Sequence, residues 1–255
     1  MYAEERQEAI AALVVQRGRV SVTELSEQFD VTTETVRRDL AALDRAGVLR
    51  RVHGGAMPAA ALTAVELGTG EREHTRAAEK DRIAKAALAF LPPTGGSILL
   101  DAGTTTSRIA AQLPADRELV AVTNCVPIAA RLCGYPGVRL HLLGGRVRGV
   151  TQAAVGAETL RALGDLRVDV AFIGANAFTI AHGLSTPDPD EAAVKRAMVA
   201  GAHRVVVVAD SAKAGREDLM RFAPITDIDV LITDDELRPA LRDGLSESGI
   251  EVVIA

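Results

Sequence analysis

The sequence predicts an α/β protein of two unlike parts, a small helical unit ending in a hairpin and a larger domain with a mainly parallel sheet. Three observations carry this. Over the first fifty-odd residues, apolar positions recur at helical spacing and close on a short Arg- and Gly-bearing stretch. Beyond them, seven short apolar runs alternate with helical segments: SILLD (97–101), LVAVT (119–123), VRLHLLG (138–144), VDVAFIG (168–174), VVVVAD (205–210), DVLIT (229–233) and VVIA (252–255). Most of these runs are continuously apolar, the pattern of strands covered on both faces and so of a parallel sheet between helix layers.

In the first helix Ile10, Leu13, Val14 and Arg17 fall at i, i+3, i+4 and i+7, a stripe that ends near Gly18. Ser21 caps the second, Glu24 completes a capping box, and Val22, Leu25 and Phe29 form its buried face. Thr32 or Thr33 caps the third, whose inward positions are Val36, Leu40 and Leu43 and whose stop is Gly47. Glu34, Arg38, Ala41 and Arg45 then point away from the core, flanked by Thr35 and Arg37. Arg50, Arg51 and His53 follow in a wing closed by Gly54 and Gly55. From Thr32 to His53 five arginines stand against Glu34, Asp39 and Asp44, a local balance of +2 in a chain of net charge −5. An Arg-bearing outer helix face alone is ordinary solvated surface. On the second helix of a helix-turn-helix, with more arginine on the wing, it meets phosphates and base edges.

The wording VTTETVRRDLAALDRAGVLRRVHGGA resembles the winged helix-turn-helix of the DeoR family of bacterial transcription regulators, and the resemblance spans residues 4–56. It implies double-stranded operator DNA as a partner and a DNA-facing set of Ser21, Thr32, Thr33, Thr35, Arg37, Arg38, Arg45, Arg50, Arg51 and His53. The expected organisation is a DNA-binding domain over 1–57, an Ala-, Pro- and Gly-rich linker over 58–75 and an effector domain over 76–255. That last part opens with a helix carrying Ile83, Ala84, Ala87, Leu88 and Leu91, ended by Pro92 and Pro93.

Composition narrows the function. Hydrophobic residues make up 48% of the 255 but aromatics only 3%, with no Trp, so the cores rest on Ala, Val, Leu and Ile. A net charge of −5 argues against coating nucleic acid or an anionic membrane by bulk charge. No apolar run reaches the roughly 18 residues of a membrane span, and the N-terminus lacks a basic-then-apolar leader, so a cytoplasmic protein without membrane partners is expected. Cys125 and Cys133 read as reduced thiols, and the five histidines show no ligand spacing, so no metal is assigned. Neither GxxxxGK[ST] nor a strand-to-helix GxGxxG is present, which makes ATP and NAD poor candidates and leaves no cofactor to assign.

If the strands are parallel, the turns after them meet at one edge, bringing together DAGTTT (101–106), TN (123–124), GGRVR (144–148), GAN (174–176) and ADSAK (209–213). Hydroxyls, amides, glycines and one lysine suit a polyol phosphate. Taken singly, a Gly-Thr turn is more often a plain helix cap. The same segments, with HGLSTPDPDEAAVKRAM, resemble the DeoR-family sensor domain, whose fold is similar to ribose-5-phosphate isomerase. The resemblance implies a repressor of carbohydrate catabolism released by a phosphorylated sugar, with effector contacts at Asp101, Gly103, Thr104, Thr105, Thr106, Thr123, Asn124, Gly144, Gly145, Asp210 and Lys213. Arg146, Arg148 and Lys195 are added to these. Similarity to fructose-operon regulators points to fructose 1-phosphate, and a homodimer or homotetramer is expected on DNA. The alternative is an isomerase-like enzyme with a DNA-binding appendage. Against it, the stretch from Phe172 to Thr186 holds no Asp or Glu to serve as the base, so no catalytic residue is assigned. Asp188, Asp190 and Glu191 read as an acidic helix start.

Overall fold

The structure, a computed structural model, describes residues 3–17, 20–52, 54–58, 68–114 and 116–255. It divides into two compact units, Met1–Leu62 and Thr63–Ala255.

In the first unit, α1 (Ala3–Arg17) buries Ile10 and Val14. A two-residue strand, β1 (Val20–Ser21), leads into α2 (Val22–Phe29) through the expected capping box: Glu24 N donates to Ser21 Oγ at 3.1 Å and Ser21 N to Glu24 Oε2 at 2.7 Å. The helix ends at Asp30 in the left-handed region, with φ of 49°. Thr32, not Thr33, caps α3 (Thr33–Arg45), its hydroxyl accepting from Thr35 N at 3.2 Å. Val36, Leu40 and Leu43 pack inward with Leu25. β2 (Leu49–Val52) and β3 (Gly55–Pro58) form the wing, which β1 extends to an antiparallel sheet of order β1-β3-β2. Asp39, three residues after Val36 and four before Leu43, falls on the same buried side of the helix. It accepts from Arg6 Nε at 2.6 Å and Gln7 Nε2 at 2.9 Å, tying α1 to α3.

The second unit begins with α4 (Thr69–His74), inside the stretch read as a linker, and α5 (Ala77–Ala87), which runs into a 3-10 turn over Leu88–Phe90. Residues 59–67 of that stretch lie outside the described residues. Then follow β4 (Ser97–Leu100), α6 (Thr104–Gln112), β5 (Leu119–Thr123), α7 (Val126–Leu132) and β6 (Val138–Leu142). A hairpin of β7 (Arg146–Arg148) and β8 (Ala153–Val155) precedes α8 (Ala157–Gly164) and β9 (Val168–Gly174). β10 (Ala177–Thr179), β11 (Gly183–Thr186), α9 (Pro189–Ala200), β12 (Ala202–Val208), β13 (Met220–Ala223), β14 (Val230–Thr233), α10 (Pro239–Glu247) and β15 (Glu251–Ile254) complete it.

All seven apolar runs enter one seven-stranded sheet of order β15-β14-β12-β9-β4-β5-β6, every adjacent pair parallel. Alternate residues feed separate cores. Ile98, Leu100, Val170 and Phe172 pack with α5, α6 and α7, while Leu99, Ala171 and Ile173 pack with α8, α9 and α10. A fully buried side chain such as Phe172 contributes about 1.5–3 kcal/mol of burial free energy. The order reverses between β4 and β9, because the chain fills the sheet outward from β4 on one side and then from β9 on the other. A crevice opens at the carboxyl ends of strands that diverge in this way. The hairpin β7-β8 and a small antiparallel sheet, β10-β11-β13, went unpredicted. Their strands have three or four residues, too short for an apolar run to stand out from the neighbouring turns.

Candidate functional sites: a helix-turn-helix face and an anion cleft

On the first unit, α3 turns Arg37, Arg38 and Arg45 to solvent, opposite its buried stripe. Arg37 pairs loosely with Glu34 at 3.7 Å, and Arg45 Nε bonds back to Ala41 O at 3.2 Å. Arg38 is exposed beside them. Thr35 is half-buried, its hydroxyl 2.9 Å from that of Thr32, while Ser21 and Thr32 are engaged in capping. Thr33 is the exposed first residue of α3. Arg51 is exposed on β2, its amide donating to Asp44 Oδ1 at 3.1 Å, so the wing leaves α3 at a set angle. The side chain of Arg50, and all of His53, lie outside the described residues.

On the second unit, a cleft opens at the crevice between β4 and β9. Its lining comprises Gly103, Thr104, Thr105 and Thr106 at the start of α6, Gly174 and Ala175 at the end of β9, Val208, Ala209, Asp210 and Lys213 at and beyond the end of β12, and Arg72 and Lys80 from α4 and α5. The first amides of α6 have no partner within the helix and carry its positive dipole end. Gly103 adopts an extended backbone, and a Cβ there would meet only Thr106 Oγ1, at 3.2 Å, so this end of α6 is accessible from the cleft. Lys80 is buried and donates to Arg72 O at 2.6 Å. Burial foremost, then repulsion from Lys213, Arg72 and Arg108, bring its ammonium down to about 8 against the pull of Asp210. Asp210 is itself buried, and its Oδ1 has no hydrogen-bond partner among the described residues.

Lys80 and Arg72 were missed at the sequence level, although Lys80 had a signal. It lies three, four and seven residues before Ile83, Ala84 and Ala87, so the helix turns it to its buried side. Arg76 was missed as well. From a left-handed φ of 52° at the start of α5 it reaches Asp234 at 3.0 Å and Glu236 at 2.9 Å. Asp234, held below the usual carboxylate range despite its burial, accepts from the amide and hydroxyl of Ser211 at 2.8 and 2.7 Å. This network shapes the turn that presents Asp210 and Lys213.

The other residues expected at the effector site do not line this cleft, and Asp101, Asn124 and Lys195 line a separate pocket with Glu191. Asp101 and Lys195 form a buried ion pair at the foot of the cleft, where Lys195 also donates to Gly174 O at 3.0 Å and Asp101 accepts from Gly174 N at 3.0 Å. Burial pushes the Asp101 carboxyl up, while Lys195 and the Gly174 amide pull it the other way. Thr123 donates to Leu100 O at 2.6 Å and accepts from Cys125 N at 3.1 Å, bracing β4 and β5. Asn124 donates to Ala154 O at 3.0 Å. Gly145 packs where a Cβ would fall 2.3 Å from Thr159 Oγ1, whereas a Cβ on Gly144 would meet nothing within 4 Å. Arg146 pairs with Asp190, and Arg148 with Glu191 at 2.5 Å and Asp188 at 3.2 Å, so the hairpin is fastened to the start of α9. Asp188 caps that helix, accepting from Glu191 N at 2.9 Å. Among the described residues no group of three or more His, Cys, Asp or Glu could hold a metal, and no helix is long and apolar enough to cross a membrane.

A helix-turn-helix with an arginine-bearing outer face, carried in one chain with an α/β ligand-binding architecture, defines a DNA-binding regulator as the class. Residues 6–59 match the DeoR-like helix-turn-helix domain and residues 75–235 the DeoR C terminal sensor domain. The chain belongs to the DeoR family of transcription regulators. It is 36% identical to the HTH-type transcriptional regulator GlpR of Haloferax volcanii over 98% of this chain and 96% of that one. It is 31% identical to the HTH-type transcriptional repressor GlcR of Bacillus subtilis over 100% and 97%, and 34% identical to the lactose phosphotransferase system repressor of Staphylococcus epidermidis over 91% and 92%. These relatives are regulators of transcription, and the chain is a regulator rather than an enzyme. Among solved structures, ribose 5-phosphate isomerase A of Methanocaldococcus jannaschii is similar over 53% of each chain at 18% identity, with a TM-score of 0.39, too distant to bear on function.

Proposed function

We propose that this protein represses a carbohydrate-catabolism operon in the cytoplasm and leaves its operator when a small sugar phosphate enters the cleft at the start of α6. The observation that carries the reading is the convergence of Arg72, Lys80 and Lys213 on the N-terminal amides of α6. Three cations against Asp210 leave a surplus of two positive charges, which matches a phosphate dianion. Asp210 Oδ1, 3.7 Å from Arg76 Nε, accepts no hydrogen bond among the described residues, and a sugar hydroxyl supplies one. Thr104 and Thr105 add hydroxyls to the same wall. Asp101 and Lys195 act beneath, holding the loop in place.

Fructose 1-phosphate is our first candidate for the effector. On DNA, a homodimer or homotetramer would set paired α3 helices, through Arg37, Arg38 and Arg45, into half-sites about one helical turn apart, with Arg51 reaching backbone phosphates. The division of residues into a DNA-binding domain over 1–57, a linker over 58–75 and an effector domain over 76–255 belongs to this reading.

The test is fluorescence anisotropy of a labelled fragment from upstream of the protein's own gene, at one stated salt concentration, titrated with protein and then with a panel of sugar phosphates. Release by one phosphorylated sugar but not by its unphosphorylated form is the expected result. Tight binding that no sugar phosphate alters would overturn the effector assignment.

A further inference from the structure

α4 has six residues, too few to persist as a helix on its own. Its last carbonyls lack partners within the helix, and side chains from outside it take them. Thr75 Oγ1 donates to Glu71 O at 3.1 Å, Lys80 Nζ to Arg72 O at 2.6 Å, and Arg108 Nη2 to Glu73 O at 3.0 Å. At the other end Thr69 donates twice to the Val150 carbonyl, from its amide at 3.0 Å and its hydroxyl at 2.8 Å.

Both ends of α4 lead to the anion cleft. At the C-terminal end the link is direct, since Lys80 and Arg72 line it. At the N-terminal end it runs through the turn between β7 and β8 that carries Val150. Arg148 and Thr151 of that hairpin hold Glu191 on α9, and Lys195 of the same helix holds Asp101 and the Gly174 carbonyl at the foot of the cleft. In the sequence, α4 is also the first described helix after the wing, reached from β3 through residues 59–68.

We propose that α4 is the output element of the sensor, with Thr69 as its positioning residue: anion binding between Arg72, Lys80 and the start of α6 reaches the DNA-binding unit through this helix. The proposal rests on the sugar-phosphate reading above. An anion that draws Lys80 and Arg72 toward α6 loads the C-terminal end of α4. The clamp of Thr69 on Val150 makes the helix answer as a unit instead of fraying, so the load arrives at Gly68.

Thr69→Pro is the discriminating variant. It removes both donors to Val150 O, yet Thr69 is the first residue of α4, where the fixed φ and missing amide hydrogen of proline are tolerated. Gly68, at φ −60° and ψ 156°, already has the extended backbone that precedes proline. The full chain is titrated onto the upstream DNA fragment with and without fructose 1-phosphate, other sugar monophosphates and inorganic phosphate, and sugar-phosphate binding is measured separately by calorimetry. The expected variant binds DNA and the releasing sugar phosphate within about twofold of the unsubstituted chain, while the shift in DNA affinity on adding that sugar phosphate shrinks at least about fivefold. Thr69→Ser, which keeps both donors, restores the shift.

Undiminished release in Thr69→Pro overturns the proposal and leaves the effector reading standing. Failure of every sugar phosphate to bind the unsubstituted chain overturns both. Should the proline variant not fold, hydrogen exchange in the unsubstituted chain decides: slower exchange of the amides of residues 69–75 on adding the sugar phosphate supports the output role, and unchanged exchange refutes it.

Discussion

The Lys195 ammonium is buried against the Asp101 carboxylate directly beneath the turn that opens α6. Each ion is supportable there only because the other is present, with the Gly174 amide and carbonyl completing the set. Replacing Lys195 by Met therefore strands a carboxylate in the core, at a cost of about 3–5 kcal/mol. Urea unfolding followed by circular dichroism checks this, and the double variant Asp101→Asn, Lys195→Met is expected to recover most of the loss.

Lys80 makes the cleft sensitive to pH. Its folded value of about 8 lies below the ordinary 10.5, so the fold disfavours its charged form. The cost is present in full below about 8 and is relieved as pH rises from about 8 toward 10.5, where the unfolded chain binds more protons. A bound dianion favours the charged form. Affinity for the sugar phosphate is thus expected to decline as pH climbs above about 8, with proton uptake on binding there. Calorimetry in two buffers of different ionisation heat measures that uptake, and Lys80→Met should abolish it.

Gly144 and Gly145, adjacent in sequence, are expected to respond oppositely. Gly145→Ala drives a Cβ to 2.3 Å from Thr159 Oγ1 and 2.7 Å from Val155 O at a φ of +143°, and should destabilise the second unit by about 1–3 kcal/mol. Gly144→Ala meets nothing within 4 Å and should be close to neutral. Thermal denaturation separates them. Equal losses in both would point to a role for this turn other than packing.

Arg38 and Lys213 sit in different units and should separate the two activities. Arg38→Ala is expected to weaken DNA binding and to lower the slope of log K against log salt by about 1, leaving sugar-phosphate affinity unchanged. Lys213→Ala is expected to cost about 1–3 kcal/mol of sugar-phosphate affinity with DNA affinity intact. Loss of both activities in either folded variant would contradict the division.

Much of this was legible from local pattern. The stripe of Val36, Leu40 and Leu43, the capping box at Ser21 and the seven apolar runs each report a residue's own surroundings along the chain, and each became the expected element. The cleft at the start of α6 was legible in part. Gly103 to Thr106, Asp210 and Lys213 follow strands, and a parallel sheet necessarily gathers such turns at one edge. Arg72 and Lys80 follow no strand. They reach the cleft because α4 and α5 cross to it, which no pattern within those helices states.

The sequence by itself determined the two-part architecture, the parallel sheet and the family, because hydrophobic period and capping are local and the family's motifs are contiguous. The tertiary structure alone decided which charges do which work. Asp39 and Arg6 are 33 residues apart, Asp101 and Lys195 are 94, and Arg76 and Asp234 are 158. A buried charge must find a partner wherever the fold supplies one, and the packing of α1 on α3, the order β9-β4 and the placing of α5 and α9 settle where that is.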